Sequence, residues 1–364
     1  MTRLPESAFW LALAYASDLR LSRTKAIVSA WCLDRGQSLA ALFELSPEEL
    51  AAELELAAEE AQQISGAAGR APDQAAWLAQ LESHGVYLLT RADPAYPRTP
   101  LLTFPLAMQP LLLFWSGNLD ILAQPSVAVI GAQDASQEMV SFGGQLAGWL
   151  AEEGLVVASG LGKGVGQVAF ETAAAAQGGQ AMGVLPMGMA TFLGMPDVAE
   201  GAVAAAQKGQ ALLLSPFHPD AKFSQAQAVA RNKLMVGLVE AVFAVTAGEA
   251  GTAREAAEEA LRLGRAVYVW DEPTAVGNQA LIQAGALPVT GVADILDAVE
   301  AIVTAALESE QFQAAYAELS DTPLPPLDDG AEAPYDPQAA LDLLSKTGRV
   351  PEVLARRLRE GPEP

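Results

Sequence analysis

An α/β fold, a doubly wound parallel sheet with a small helical module ahead of it, is what this sequence predicts. Three observations predict it. Strand-like apolar runs and helix-like runs alternate with a regular beat between Val127 and Val303. The strand-like runs are apolar at nearly every position, which means burial on both faces and therefore helices on both sides of the sheet. The 364 residues, 51% hydrophobic and 18% charged, suit a folded chain of two or three domains and not a disordered one.

Taken in order, residues 8–70 read as several short helices, with Leu, Ala and Ile at helical spacing. Ser46-Pro47-Glu48-Glu49 offers a capping box with proline at the first helical position. A helical domain over 1–80 follows. From Val86 the texture changes. Val86–Thr90, a proline-rich run from Asp93 to Pro110, and Leu111–Trp115 predict short strands and turns. Strands of the main sheet are predicted at Val127–Gly131, Leu155–Ser159, Gln180–Leu185, Ala211–Ser215, Ala241–Thr246, Ala266–Trp270 and Leu287–Thr290. Helices are predicted near 137–153, 165–177, 196–207, 224–238, 252–264, 276–284 and 292–306, so that the sheet domain spans 81–306. A ligand crevice is expected at the carboxyl ends of its strands. Residues 307–336 read as an acidic, proline-rich linker that cannot bury enough surface to order itself. Residues 337–364 read as a small basic amphipathic remnant with Arg356, Arg357 and Arg359, interrupted at Gly348 and Pro351.

Composition removes several classes. Cys32 is the only cysteine, which excludes disulfides, and with His84 and His218 it cannot build a four-ligand zinc cage. Apolar stretches such as Leu111–Trp115 are far short of the roughly 20 residues that span a bilayer, so no membrane partner is expected. Glu6 and the short run Phe9–Ala16 argue against a secretory signal, and a reducing cytoplasm fits the chain better. The formal net charge of -23 repels polyanions. Two windows reverse that sign. One is 1–35, with Arg3, Arg20, Arg23, Lys25 and Arg35; the other is 208–233, with Lys208, Lys222, Arg231 and Lys233. Any nucleic-acid contact is expected there.

The strongest chemical candidate is Ser159-Gly160-Leu161-Gly162-Lys163-Gly164-Val165-Gly166, which follows a predicted strand and opens a predicted helix. Its glycines let backbone N–H groups approach an anion, the helix N-terminus adds partial positive charge, and Lys163 adds a full one. It is no Walker loop, because Gly164 stands where Ser or Thr is needed, and Ile130-Gly131-Ala132-Gln133 is no dinucleotide fingerprint. A tight turn that merely packs helix on sheet explains the same glycines. Arg231-Asn232-Lys233 comes next: if its helix borders the crevice, Arg231 and Lys233 point at the same polyanion as Lys163 and Asn232 bonds a sugar or base. A solvated helix face explains those charges equally well. Gly251-Thr252-Ala253-Arg254-Glu255 is explained by Thr252 as an N-cap completed by Glu255, with no chemistry needed.

At these residues the chain resembles the DNA-processing protein A (DprA, or Smf) family. The ordered landmarks are Tyr96-Pro97, Val127–Gly131, Ser159–Gly164, Gly178-Gly179, Gly188, Phe223 with Arg231-Asn232-Lys233, Gly251-Thr252-Ala253, and Gly277–Ala286. The resemblance implies an extended Rossmann-like sheet, a SAM-like or helix-hairpin-helix-like N-terminal domain and a winged-helix-like C-terminal remnant. It implies a cytoplasmic homodimer without cofactor or catalysis, which binds single-stranded DNA and helps load a RecA-type recombinase in natural transformation. It places Gly131, Ser159, Gly160, Lys163, Gly164, Arg231, Asn232 and Lys233 at the DNA, where affinity comes from charge and not from base reading. The chain departs from the family at Gly131-Ala132-Gln133, where a Gly-Ser-Arg turn is usual, and at Gly162–Gly166, where an Ala-Arg-Gly-Ile-Asp turn is usual. Lys163 keeps the charge of that arginine and loses its two-pronged grip.

Two other readings use the same residues. The Gly251–Glu255 turn also resembles that of lysine-decarboxylase-like nucleotide phosphoribohydrolases, which would make Glu255 and Arg231 the residues attacking an N-glycosidic bond. A degenerate scaffold that only binds protein partners would account for the missing arginine at Gln133.

Overall fold

The computed structural model describes residues 4–97, 101, 104 and 109–308. Most of the expected acidic linker and all of the expected basic remnant lie outside the described residues. The chain forms two compact units, Met1–Tyr96 with Phe104–Trp115, and Pro97–Thr103 with Ser116–Pro364.

The first unit is built from helices Glu6–Tyr15, Leu21–Val28, Leu39–Leu42, Pro47–Leu54, Ala58–Ala68 and Ala71–Ser83. Two strands follow, β1 (Tyr87–Thr90) and β2 (Leu112–Gly117), paired antiparallel with Tyr87 opposite Trp115 and Leu89 opposite Leu113. Trp10, Leu11, Leu13, Leu39, Leu50, Ile64 and Phe114 are fully buried. Each such side chain contributes about 1.5–3 kcal/mol, which lets helices too short to stand alone persist. The capping box forms as expected: the Ser46 hydroxyl accepts from the Glu49 N–H at 3.2 Å and the Glu49 carboxylate accepts from the Ser46 N–H at 2.8 Å.

The second unit holds β3 (Ser126–Gly131), β4 (Val156–Ser159), β5 (Ala181–Val184), β6 (Ala211–Ser215), β7 (Ala241–Thr246), β8 (Ala266–Trp270) and β9 (Leu287–Val289). All seven are parallel, in the spatial order β6-β5-β4-β3-β7-β8-β9. β4, β5 and β6 are buried at every position, as apolar strands covered on both faces must be. The chain moves outward from β3 to β6, then returns over the sheet to β7 on the other side of β3. Right-handed crossovers in opposite directions put helices Gln137–Glu152 and Val165–Ala175 on one face and Gln225–Leu238 and Thr252–Arg262 on the other. The order therefore reverses between β3 and β7, and ligand crevices belong at the carboxyl edge.

Two local expectations need correction. The helix Thr252–Arg262 is capped by Gly251, at φ +118°, and not by Thr252, and it has no side-chain cap hydrogen bond. Glycine reaches that φ where threonine does not, so the cap moves back one residue. A single helical turn, Met189–Leu193, interrupts the stretch between β5 and the Pro196–Gln207 helix, where no helix was expected. At the amino edge, Glu240 is half-buried and accepts from the Ser126 N–H at 2.6 Å and the Ser126 hydroxyl at 3.1 Å. Burial raises its carboxyl above the usual range against the pull of those bonds and of the Arg265 cation.

Candidate nucleic-acid interface

β4 ends at Ser159, and the glycine turn carries the chain from there into the Val165–Ala175 helix. The turn is held from within. The fully buried Ser159 hydroxyl donates to the Gly166 carbonyl at 2.5 Å and accepts from the Leu161 N–H at 3.1 Å, so it is spent on the backbone. The Gln167 N–H donates to the Gly162 carbonyl at 2.8 Å. Gly164, at φ +87°, takes a backbone shape that only glycine holds cheaply. Gly131, at the end of β3, packs the turn from the side: a Cβ there would lie 2.5 Å from Val165 Cγ2.

What remains outward is cationic. Lys163 is exposed, and among the described residues the N–H groups of Lys163 and Gly166 donate to no protein acceptor. Unspent amides at the start of an 11-residue helix, with a lysine in the same turn, favour an anion.

The crossover helix Gln225–Leu238 brings Arg231 to this turn. Helical side chains tilt toward the helix N-terminus, so a mid-helix arginine reaches back to the carboxyl edge of the sheet. Its guanidinium sits over Gly160, where a Cβ would fall 1.5 Å from Nη1, and Nη1 donates to the Val184 carbonyl of β5 at 3.1 Å. Arg231 and the Lys163 turn thus share one edge of the sheet. They differ in access: Arg231 is 7% exposed, and burial lowers its pKa to about 10. Asn232 donates to the Thr252 carbonyl at 3.1 Å, tying its helix to the next one. Lys233 is half-buried and lies near enough to Glu259 to lower that carboxyl, after the larger effect of Arg262.

Phe223, 56% exposed just ahead of the Ser224 cap and beside the exposed Lys222, is the residue that charge counting passes over. The pairing of Phe223 with Lys222 is legible in the sequence; the exposure that makes the ring a stacking surface is not.

A crevice of about 400 Å³ opens at the carboxyl ends of β3 and β7. Asp134, Glu138 and Glu272 line it, with Met139, Thr246 and Asn278. The Asn278 amide is spent on the strand ends, accepting from the Ala247 N–H at 2.7 Å and donating to the Trp270 carbonyl at 2.8 Å. Gln133 is exposed beside Asp134. Among the described residues no group of three or more His, Cys, Asp or Glu side chains is placed to hold a metal ion, and no helix is long and apolar enough to cross a membrane.

Comparison with known proteins follows the same lines. The family described as DNA recombination-mediator protein A matches residues 87–300. DNA processing protein DprA from Streptococcus pneumoniae is 31% identical over 191 residues, 51% of this chain and 66%, just under two thirds, of that relative's length. The X-ray structure of DprA from S. pneumoniae superposes with a TM-score of 0.59 at 25% identity, covering 80% of this chain and 97% of the other. The structure of DNA processing protein A from Helicobacter pylori, described as showing a unique single-stranded DNA binding mode, gives 0.51 at 22% identity over 60% of this chain and 96% of that one.

Proposed function

Because the chain belongs to the DNA recombination-mediator protein A family, we propose that it binds single-stranded DNA at the Ser159–Gly164 turn and the Lys222-Phe223 segment ahead of the Gln225–Leu238 helix. The observation that carries this reading is the set of unspent amides and the exposed Lys163 at the start of the Val165–Ala175 helix. A phosphate takes those N–H groups and the lysine, and the next base stacks on Phe223. Such a site reads charge and π-faces and not sequence. The bound strand is handed to a RecA-type recombinase, and the protein acts as a cytoplasmic homodimer in transformation or a related recombination pathway. The single-stranded DNA named for the H. pylori relative supports this choice of ligand. The N-glycosidase alternative gains nothing from the site: its arginine, Arg231, is buried against Gly160 and the Val184 carbonyl, while Glu255 is exposed.

Fluorescence anisotropy with labelled oligo-dT tests the reading. A dissociation constant of about micromolar or tighter is expected at low salt, with affinity falling off at a log–log slope of about -0.7 for each phosphate contacted. Absence of binding at low salt contradicts the assignment.

A further inference from the structure

We infer that Arg231 is a positioning residue, which holds the Ser159–Gly164 turn in its binding shape from beneath. The inference rests on the reading of the turn as a phosphate site. Three observations carry it.

First, the guanidinium occupies the space where any other residue at 160 would place its Cβ, with Nη1, Cζ and Nη2 falling 1.5, 2.4 and 2.8 Å from that point. Gly160 is thus a seat for Arg231, and its missing side chain is filled by another residue's cation. Second, Nη1 is committed to the Val184 carbonyl, so the one side chain joins the Gln225–Leu238 helix, the end of β4 and the end of β5. Leu161 makes a parallel clasp from the turn itself. A Cβ at Gly183 of β5 would lie 2.8 Å from its Cδ1. Third, Arg231 Nε has no hydrogen-bond partner and is sealed from solvent. An incoming phosphate cannot reach that atom without moving the helix. A buried cation left with an unmet donor is costly, and placing it where a carbonyl and a glycine meet fits a role in shaping the turn.

Lysine keeps the charge and lacks the planar fork that spans Gly160 and Val184. The test therefore compares Arg231→Lys, Gly160→Ala and Lys163→Gln by oligo-dT anisotropy over a salt series, at temperatures where circular dichroism shows each variant folded. Lys163→Gln is expected to weaken binding and reduce the salt slope by about 0.7, one phosphate contact. Arg231→Lys is expected to weaken binding about tenfold with the slope unchanged, on the scale of one lost charge-assisted hydrogen bond. Gly160→Ala should reproduce that phenotype, and the double variant should be no worse than either single one, because both remove the same clamp. A merely structural role would lower the melting temperature and leave the affinity of the folded protein as it was. Wild-type-like affinity in Arg231→Lys, or a slope reduced as in Lys163→Gln, overturns the inference.

Amide hydrogen exchange without DNA separates this from the functional reading. Arg231→Lys should speed exchange at 160–168, and unchanged exchange there also overturns the proposal. Failure of the wild-type protein to bind oligo-dT, with exchange still accelerated, would instead sink the DNA assignment.

Discussion

The glycine turn after β4 and the crevice at β3 and β7 are built from the same parts, a strand end, a turn and a helix start, yet they carry opposite charge. At β4 and β5 the turn presents Lys163 and unspent amides above a buried arginine. At β3 and β7, the point where strand order reverses, Asp134, Glu138 and Glu272 face the opening. The difference teaches that topology supplies places for a ligand, and local charge decides which place takes a polyanion. A formal net charge of -23 does not forbid this, because charges beyond about 8–10 Å are largely screened at physiological salt. Amides and a lysine in direct contact with a phosphate are not.

The largest effect expected from breaking this contrast is at the cationic turn. Lys163→Glu should weaken oligo-dT binding by well over tenfold at low salt, since it removes one favourable contact and adds a repulsive one. Anisotropy reads this directly, and an unchanged affinity would remove the turn from the interface. Phe223→Ala should cost about 1 kcal/mol, roughly fivefold, at the low end of base stacking because the ring is only half exposed to begin with. Its salt slope should stay at the wild-type value. Converting the acidic crevice sharpens the contrast from the other side. Gln133→Arg with Asp134→Asn should tighten binding by roughly threefold to tenfold at low salt and steepen the slope by about 0.7. No gain would mean that charge at that crevice does not decide where the strand binds.

The smallest effect on binding is expected far from both the turn and the crevice. Glu240 has a folded pKa raised above its ordinary 4.5 by burial, so the stability it contributes is fully present below about 4.5 and is lost as pH rises through the higher folded value. Glu240→Gln should therefore flatten the fall of melting temperature with rising pH across that window and leave oligo-dT affinity unchanged. A melting profile that keeps its wild-type slope would show that Glu240 is not the titrating group.

Much of this is legible in the sequence alone. Strands such as β6, Ala211–Ser215, stand out because burial on both faces leaves them apolar nearly throughout, and the seven strands fall within a residue or two of their expected places. The Ser159–Gly164 turn is legible from glycine spacing after a strand. The depth of Arg231 is not, because charge spacing does not say whether an arginine on a helix faces water or reaches along the helix to fill a glycine's empty side. Ser159 was expected at the ligand, and the structure spends its hydroxyl on the Gly166 carbonyl, a bond that spacing alone does not show. The acidic crevice is invisible for a different reason. Asp134 and Glu138 follow β3 and Glu272 follows β8, and only the return crossover to β7, which seats β7 and β8 beside β3, brings them to one opening.

Hydrogen–deuterium exchange of the full chain with and without oligo-dT tests the central claim most directly. The account predicts slower exchange on DNA binding at 160–168 and 222–227, and no change at 132–139 or 246–250. Protection confined to the β3 and β7 crevice, with the glycine turn unaffected, would contradict it.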